Sequence, residues 1–391
     1  MLFSLKSTQI FEKNTLMGFF EIARKRLAGL RGSSMDLKRR LIIFSFLFTF
    51  LAGIIVSEDP LKTVWSISSF GEDDFFHKPS DIEVDPHRSM IYMADSGNHR
   101  VLVFDFQGEL LKIIGSKGQG PAEFLNPSGL FILEDGRLAV ADVDNNRIQI
   151  FDKAWEFVNS INTKTVQVAD MIFNDNKIYT ISSFGSSGFS LDMSSEKDTQ
   201  PLFKILDNQG NLIQSVSVDD YPESHPFLRA IKHRVCLALL KEGRLYTPHF
   251  AMNVIHVYSL EGKKLGEFDR PLPFRPDDPK IIKQIRKDGV GFMMATYDFI
   301  TKAAKIGPDG NLYLLTFAES SMVRQRPRKD RSVALPPIRM RIDVIDSKTH
   351  EIMRQIEIEG DTKAFSLLNE NHIVYVYVDS EGEVILKCIQ Y

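Results

Sequence analysis

Two short segments gather the side chains best suited to gripping a polar ligand. They read Ala94-Asp95-Ser96-Gly97-Asn98-His99-Arg100 and Ala141-Asp142-Val143-Asp144-Asn145-Asn146-Arg147. Each sets a carboxylate, an amide and a guanidinium in one Asp-x-x-Asn-x-Arg turn, a trio able to make charge-assisted hydrogen bonds to a ligand. Asp95, His99, Arg100, Asp142 and Arg147 are therefore ligand-binding candidates. The same trio can also satisfy itself, because Asp and Asn bond nearby turn backbone and Arg reaches back to the carboxylate. For a motif that recurs, this scaffold reading is the simpler one. His99 stands where the second copy has Asn146, and the sequence pairs it with no nucleophile or orienting acid.

The other reactive residue types are scattered. His225, His233, His249 and His256 lack a zinc-binding spacing such as H-E-x-x-H, and Cys236 and Cys388 cannot make a disulfide framework. Arg324 to Arg331, RQRPRKDR, is either a solvated loop or a contact for an anionic partner such as lipid headgroups or acidic glycan.

The elements that would position these residues are repeated. Pro79-Ser80-Asp81-Ile82 matches Pro127-Ser128-Gly129-Leu130, and Arg100 to Asp105 matches Arg147 to Asp152; Asp95 and Asp142 lie 47 residues apart. That is the length of one four-stranded propeller blade, and the short β runs between turn residues agree with it. Weaker copies centre on Lys177 to Asp207, Gly243 to Ser259, Gly310 to Asp346 and Lys363 to Ile389. The sixth lacks a last strand, and Val64 to Gly71, which resembles Leu111 to Gly115, is available to supply it. The expected fold is all-β: a six-bladed β-propeller over residues 61–391, closed by an N-terminal strand and preceded by one hydrophobic N-terminal helix.

That helix is expected at Leu41 to Val56, LIIFSFLFTFLAGIIV, which follows Lys38-Arg39-Arg40 and precedes Glu58-Asp59. A basic flank before an apolar run is the order of an export signal. Residues 35–57 read as a signal peptide or an uncleaved anchor that enters the membrane through 41–56. Residues 1–34 form a basic extension, with Met35 as an alternative start. The body is then expected in the cell envelope, on the periplasmic or extracellular face, anchored or secreted. Residues 1–57 hold nine Lys/Arg and three Asp/Glu, so the rest carries 39 against 48, a net −9 that argues against nucleic acid. A monomer is expected.

The repeats resemble the NHL family of six-bladed propellers, with Ala94 to Val101 the closest copy of its signature and Ala141 to Ile148 the second. The resemblance implies a fold more than an activity, since propellers host unrelated functions. Related lactonase-type and lyase-type propellers hold a divalent cation in the channel, on oxygen ligands from the first strand of several blades. Aligning those strands here gives Asp81, Gly129, Ala169 or Asp170, Cys236, Ala303 and Ala364. Two carboxylates do not build a cage for a hard cation. No cofactor or metal is therefore expected; calcium or another divalent cation on Asp81 and Asp170 is the alternative.

Loop lengths add a direction. The long connections, Ser183 to Gln200, Asp219 to Lys232, Arg270 to Phe299 and Ala318 to Pro337, all emerge on one face. Insertions on one face mark a binding surface or a plug for the channel mouth. Tyr221, Phe292 and Tyr297 lie in them and complete the candidate set, and Asp277 to Lys287 has the capping residues and apolar spacing of a short helix. The expected function is binding of a protein, peptide or glycan through this face, without catalysis. A metal-dependent hydrolase or lyase is the alternative.

Overall fold

The computed structural model describes residues 61–391 except 71–73, 165, 183–200, 218–227, 229–230, 241, 277–279, 286–290 and 321–337, and of residues 281–285 and 291–296 it describes the backbone only. The expected N-terminal helix, Tyr221 and the Arg324 to Arg331 run lie outside the described residues. Among the described residues no helix is long and apolar enough to cross a membrane.

Six four-stranded antiparallel sheets follow one another along the chain. Their inner strands are Pro79–Asp85, Pro127–Ile132, Val168–Asn174, Ala238–Leu240, Thr301–Ile306 and Asp361–Asn369, which define blades 1 to 6. In blade 6 the outer position is filled by Lys62–Ile67, antiparallel to Val384–Gln390. Trp65 donates its indole N–H to the Phe106 carbonyl at 2.8 Å, which ties this strand to blade 1.

The apolar side chains explain why the blades form a ring. Alternation along each strand sends side chains to both faces of a blade, so every blade must be covered on both sides. Six apolar layers do this, one per blade junction, including one that joins Ile82, Met93 and Phe104 of blade 1 to Val374, Leu386 and Cys388 of blade 6. An open array would leave two of these faces in water.

One expected element is different. Lys280–Ile285 is a strand, paired antiparallel with Gly291–Thr296, and the helix expected over Asp277 to Lys287 does not form there. Ile281, Ile282 and Ile285 suit either period in so short a run, and β-branched residues with an apolar partner segment, Phe292 to Ala295, favour the hairpin.

Candidate functional site

The signature turns point inward. Asp95 is fully buried, and its carboxylate accepts the His77 amide (2.6 Å), Asn98 Nδ2 (2.9 Å) and Arg100 Nε (2.9 Å). Arg100 continues to Asp74 with bonds of 3.0 and 2.6 Å. Asp142, also fully buried, accepts the amides of Leu125 and Asn126, Asn145 Nδ2 and Arg147 Nε, and Arg147 then binds the carbonyls of Gln119, Gly120 and Glu123. Each carboxylate thus clamps the segment that enters its blade. His99 ends the 3-10 turn Ser96–Asn98 in the left-handed region (φ 58°) and donates Nδ1 to the Leu125 carbonyl at 2.7 Å. Asn146 does the same backbone duty at φ 50°.

The inner strands carry the other polar constellation. Where the chain enters each of five blades, the register slips by a bulge: around Ser80, around Ser128-Gly129, at Ala169, at Lys302 and at Lys363. A bulge re-aims the extra side chain. In blades 1 and 2 the bulged residues are serines that tie neighbouring blades, with Ser80 Oγ donating to the Ser128 carbonyl (2.8 Å) and Ser128 Oγ to that of Ala169 (2.7 Å). In blades 5 and 6 they are lysines. Lys302 and Lys363 both bind Asp361, at 2.8 and 2.5 Å. Burial pulls Lys302 down to about 8 despite Asp361, with Lys363 and Arg234 adding repulsion.

Just beyond the bulges stand Asp81 and Asp170, each capping the next amide of its own strand at 2.8 Å. The second oxygen of Asp81 accepts the Leu130 amide at 2.9 Å. Gly129 is between them in the ring, and a Cβ there would lie 2.8 Å from the Asp170 Cα, so the blades approach too closely for a side chain. Two residues further along the same strand faces, Glu83 of blade 1 meets Lys305 of blade 5. Lys305 Nζ lies 2.5 Å from Glu83 Oε2 and 3.4 Å from Asp81 Oδ1. Blade 6, which separates them around the ring, has the small Ser366 in the corresponding stretch. Burial, then the charge of Asp81, pushes Asp170 up to about 7 while Lys305 opposes the rise. Lys305 itself is raised, because Asp81, Glu83 and Asp170 outweigh its burial.

The structure therefore brings Asp81 and Asp170 into one electrostatic unit with Glu83 and Lys305 and sets a second cluster of Lys302, Lys363 and Asp361 at the bulges, none of which sequence alignment of one position per blade finds. The signal was the two-residue strand period: Glu83 follows Asp81, and Lys305 follows Ala303. As a cation cage the unit fits poorly. Both Asp81 oxygens accept backbone amides, Glu83 is paired with an ammonium, and among the described residues no group of three or more His, Cys, Asp or Glu is placed to hold a metal ion.

A third cluster joins residues that the sequence scatters. His249 donates Nδ1 to the Lys232 carbonyl at 2.5 Å, its Nε2 lies 3.1 Å from His256 Nδ1, and His256 Nε2 lies 3.2 Å from Glu267. Burial first, then His256, takes His249 down to about 3, so it is neutral. Of the loop candidates, Phe292 lies on the second strand of the 280–296 hairpin, and Tyr297 stands edge-on to Phe299 at 5.2 Å.

Six four-stranded sheets, with signature turns that hold the entries of blades 1 and 2, define a six-bladed β-propeller built of NHL-type repeats. The chain belongs to the 6-bladed beta-propeller family, whose model matches residues 72–283. It is similar to NHL repeat-containing protein 2 of Gallus gallus, 34% identical over 128 residues that cover 29% of this chain and 18% of that protein. It is also similar to a probable peptidyl-alpha-hydroxyglycine alpha-amidating lyase of Caenorhabditis elegans, 38% identical over 86 residues, 21% of this chain and 24% of the other. The chain thus spans about a quarter or less of the length of these curated relatives. A solved member of the DUF4221 family from Bacteroides vulgatus superposes with a TM-score of 0.53 at 9% identity, covering 84% of this chain and 97% of that one, a likeness of fold alone.

Proposed function

We propose that this propeller is an exported, non-catalytic binding scaffold that takes its ligand or partner at the channel end where the long connections emerge. The single observation that carries the reading is the bulged entry of the inner strands, which turns Lys302 and Lys363 toward Asp361 at that end, above the Asp81, Asp170, Glu83 and Lys305 unit. The strand Lys62–Ile67 acts as the clasp of the ring. Export rests on the charge order around Leu41 to Val56.

A metal-dependent lyase is the second reading, favoured by the local similarity to an amidating lyase. The ammonium of Lys305 argues against it, since it occupies the carboxylates that a cation would need. Elemental analysis of the purified protein separates the two: the scaffold reading expects calcium and zinc far below one per chain, and a stoichiometric, chelator-resistant ion contradicts it. A reporter fused after Tyr391 is expected to be active only outside the cytoplasm; activity confined to the cytoplasm contradicts export.

A further inference from the structure

Where the chain leaves blade 4 it buries a cation. Arg270, just past the outer strand Lys264–Phe268, lays its side chain into blade 5 with none of it exposed. Its Nε donates to Asp343 Oδ2 at 3.1 Å, and its Nη2 donates to the hydroxyls of Thr301 (2.9 Å) and Thr316 (3.0 Å). Asp343, on the third strand Met340–Ile345, is equally buried. A second guanidinium shares its carboxylate. Arg341, two residues back on the same strand and 8% exposed, approaches Asp343 with Nε at 2.8 Å and Nη2 at 3.4 Å. Gln355 Nε2 donates to Asp343 Oδ1 at 3.1 Å.

Charge and hydrogen-bond donors are both left over. Two guanidiniums, which stay protonated in proteins, stand against one carboxylate. Glu357, which faces Arg341 across the strand pair, gives both its oxygens to Arg339. Arg270 Nη1 is buried and has no acceptor among the described residues. Arg341 Nε is without one too, because its contact with Asp343 lies off the hydrogen-bond direction. Burial lowers Arg270 more than Asp343 raises it, and Arg341 adds to the drop. A buried donor without an acceptor costs free energy, and native chains answer it with a water or an ion. A water satisfies the N–H groups but leaves the excess positive charge, which is the larger cost.

We propose that Arg270 Nη1, at the junction of blades 4 and 5, holds a small inorganic anion that neutralises the Arg270, Asp343 and Arg341 cluster. Side chains so enclosed suit a monatomic ion of chloride size rather than an organic acid. The anion fixes the point where the connection from Arg270 to Phe299 begins. It acts on the stability of the ring, and it stands apart from the reading of the channel as a binding site.

The test uses the full chain with bromide and chloride as probes. Crystals grown in bromide are expected to show an anomalous peak beside Arg270 Nη1. Exchange from gluconate into chloride at equal ionic strength is expected to raise the melting temperature by about 2–4 °C once chloride is about fivefold above its Kd. Arg270→Met and Arg341→Met each remove the excess charge, so each is expected to lose the chloride dependence, and Arg341→Met serves where Arg270→Met does not fold. The inference is overturned if bromide crystals show no anomalous peak there, if chloride and gluconate give the same melting temperature, or if the variants keep the native chloride dependence. None of these results touches the scaffold reading, which falls on a stoichiometric metal ion instead.

Discussion

Blades 1 and 2 and blades 5 and 6 treat their polar residues in opposite ways. In the first pair the repeat signature is intact, and Asp95, Arg100, Asp142 and Arg147 are consumed in holding the blade entries. In the second pair the signature has gone, and lysines have come onto the inner strands, where Lys302 and Lys363 bind Asp361 and Lys305 reaches Asp81 and Glu83 of blade 1. A motif that repeats is answering a need that repeats, namely fixing a strand entry. Residues that break the pattern have no such shared duty, which is why we propose a site among them.

Truncation sharpens the scaffold side most strongly. A chain shortened through residue 60 is expected to melt cooperatively like its parent, and one shortened through residue 75 to be insoluble or unfolded. The longer deletion strips Lys62–Ile67 from blade 6, exposing an edge and the layer under Trp65 and Ile67. Equal melting of the two would reduce that strand to a linker.

Next in size is Asp142→Ala, which leaves Arg147 without its buried partner and two amides without an acceptor. Breaking such a pair costs about 3–5 kcal/mol, measurable by urea unfolding. A loss below about 1 kcal/mol, the scale of an exposed pair, would return Asp142 and Arg147 to the list of ligand-binding residues.

A smaller effect comes from pH. His249 is held down to about 3 in the folded chain, against an ordinary value near 6.5. Between these values the unfolded chain binds a proton that the folded chain refuses, so stability falls as pH drops from about 6.5 toward 3. Asp170, raised to about 7, contributes the opposite slope over part of that range, since its folded form keeps a proton that the unfolded form has lost. The difference between the native chain and His249→Gln, followed by thermal unfolding, isolates the histidine and is expected to shrink below pH 6. A pH-independent difference would show that His249 titrates normally.

The blades were legible in the sequence because each leaves the same punctuation: a turn, a Phe-Asp strand end and a signature Asp. Asp81 and Asp170 were legible as ring positions for the same reason. Lys305 and Glu83 were hidden because alignment took one residue per strand, whereas the channel face takes every second one. His249 and His256 look scattered until the hairpin register, which pairs Thr247 with His256, brings them together. The 280–296 hairpin is ambiguous in the sequence because Ile281, Ile282 and Ile285 satisfy both a helical and a strand period, and only the partner segment decides between them.

The proposal of a binding scaffold rests on Lys305 acting as the channel's own cation beside Asp81 and Glu83. Calorimetric titration with calcium and zinc of the native chain and of Lys305→Met tests it most directly. The native chain is expected to bind neither ion in the channel, and Lys305→Met, with Asp81 and Glu83 released from the ammonium, to show a gain in affinity for a divalent cation. Tight binding of one ion per chain to the native protein, unchanged by the substitution, would contradict the account.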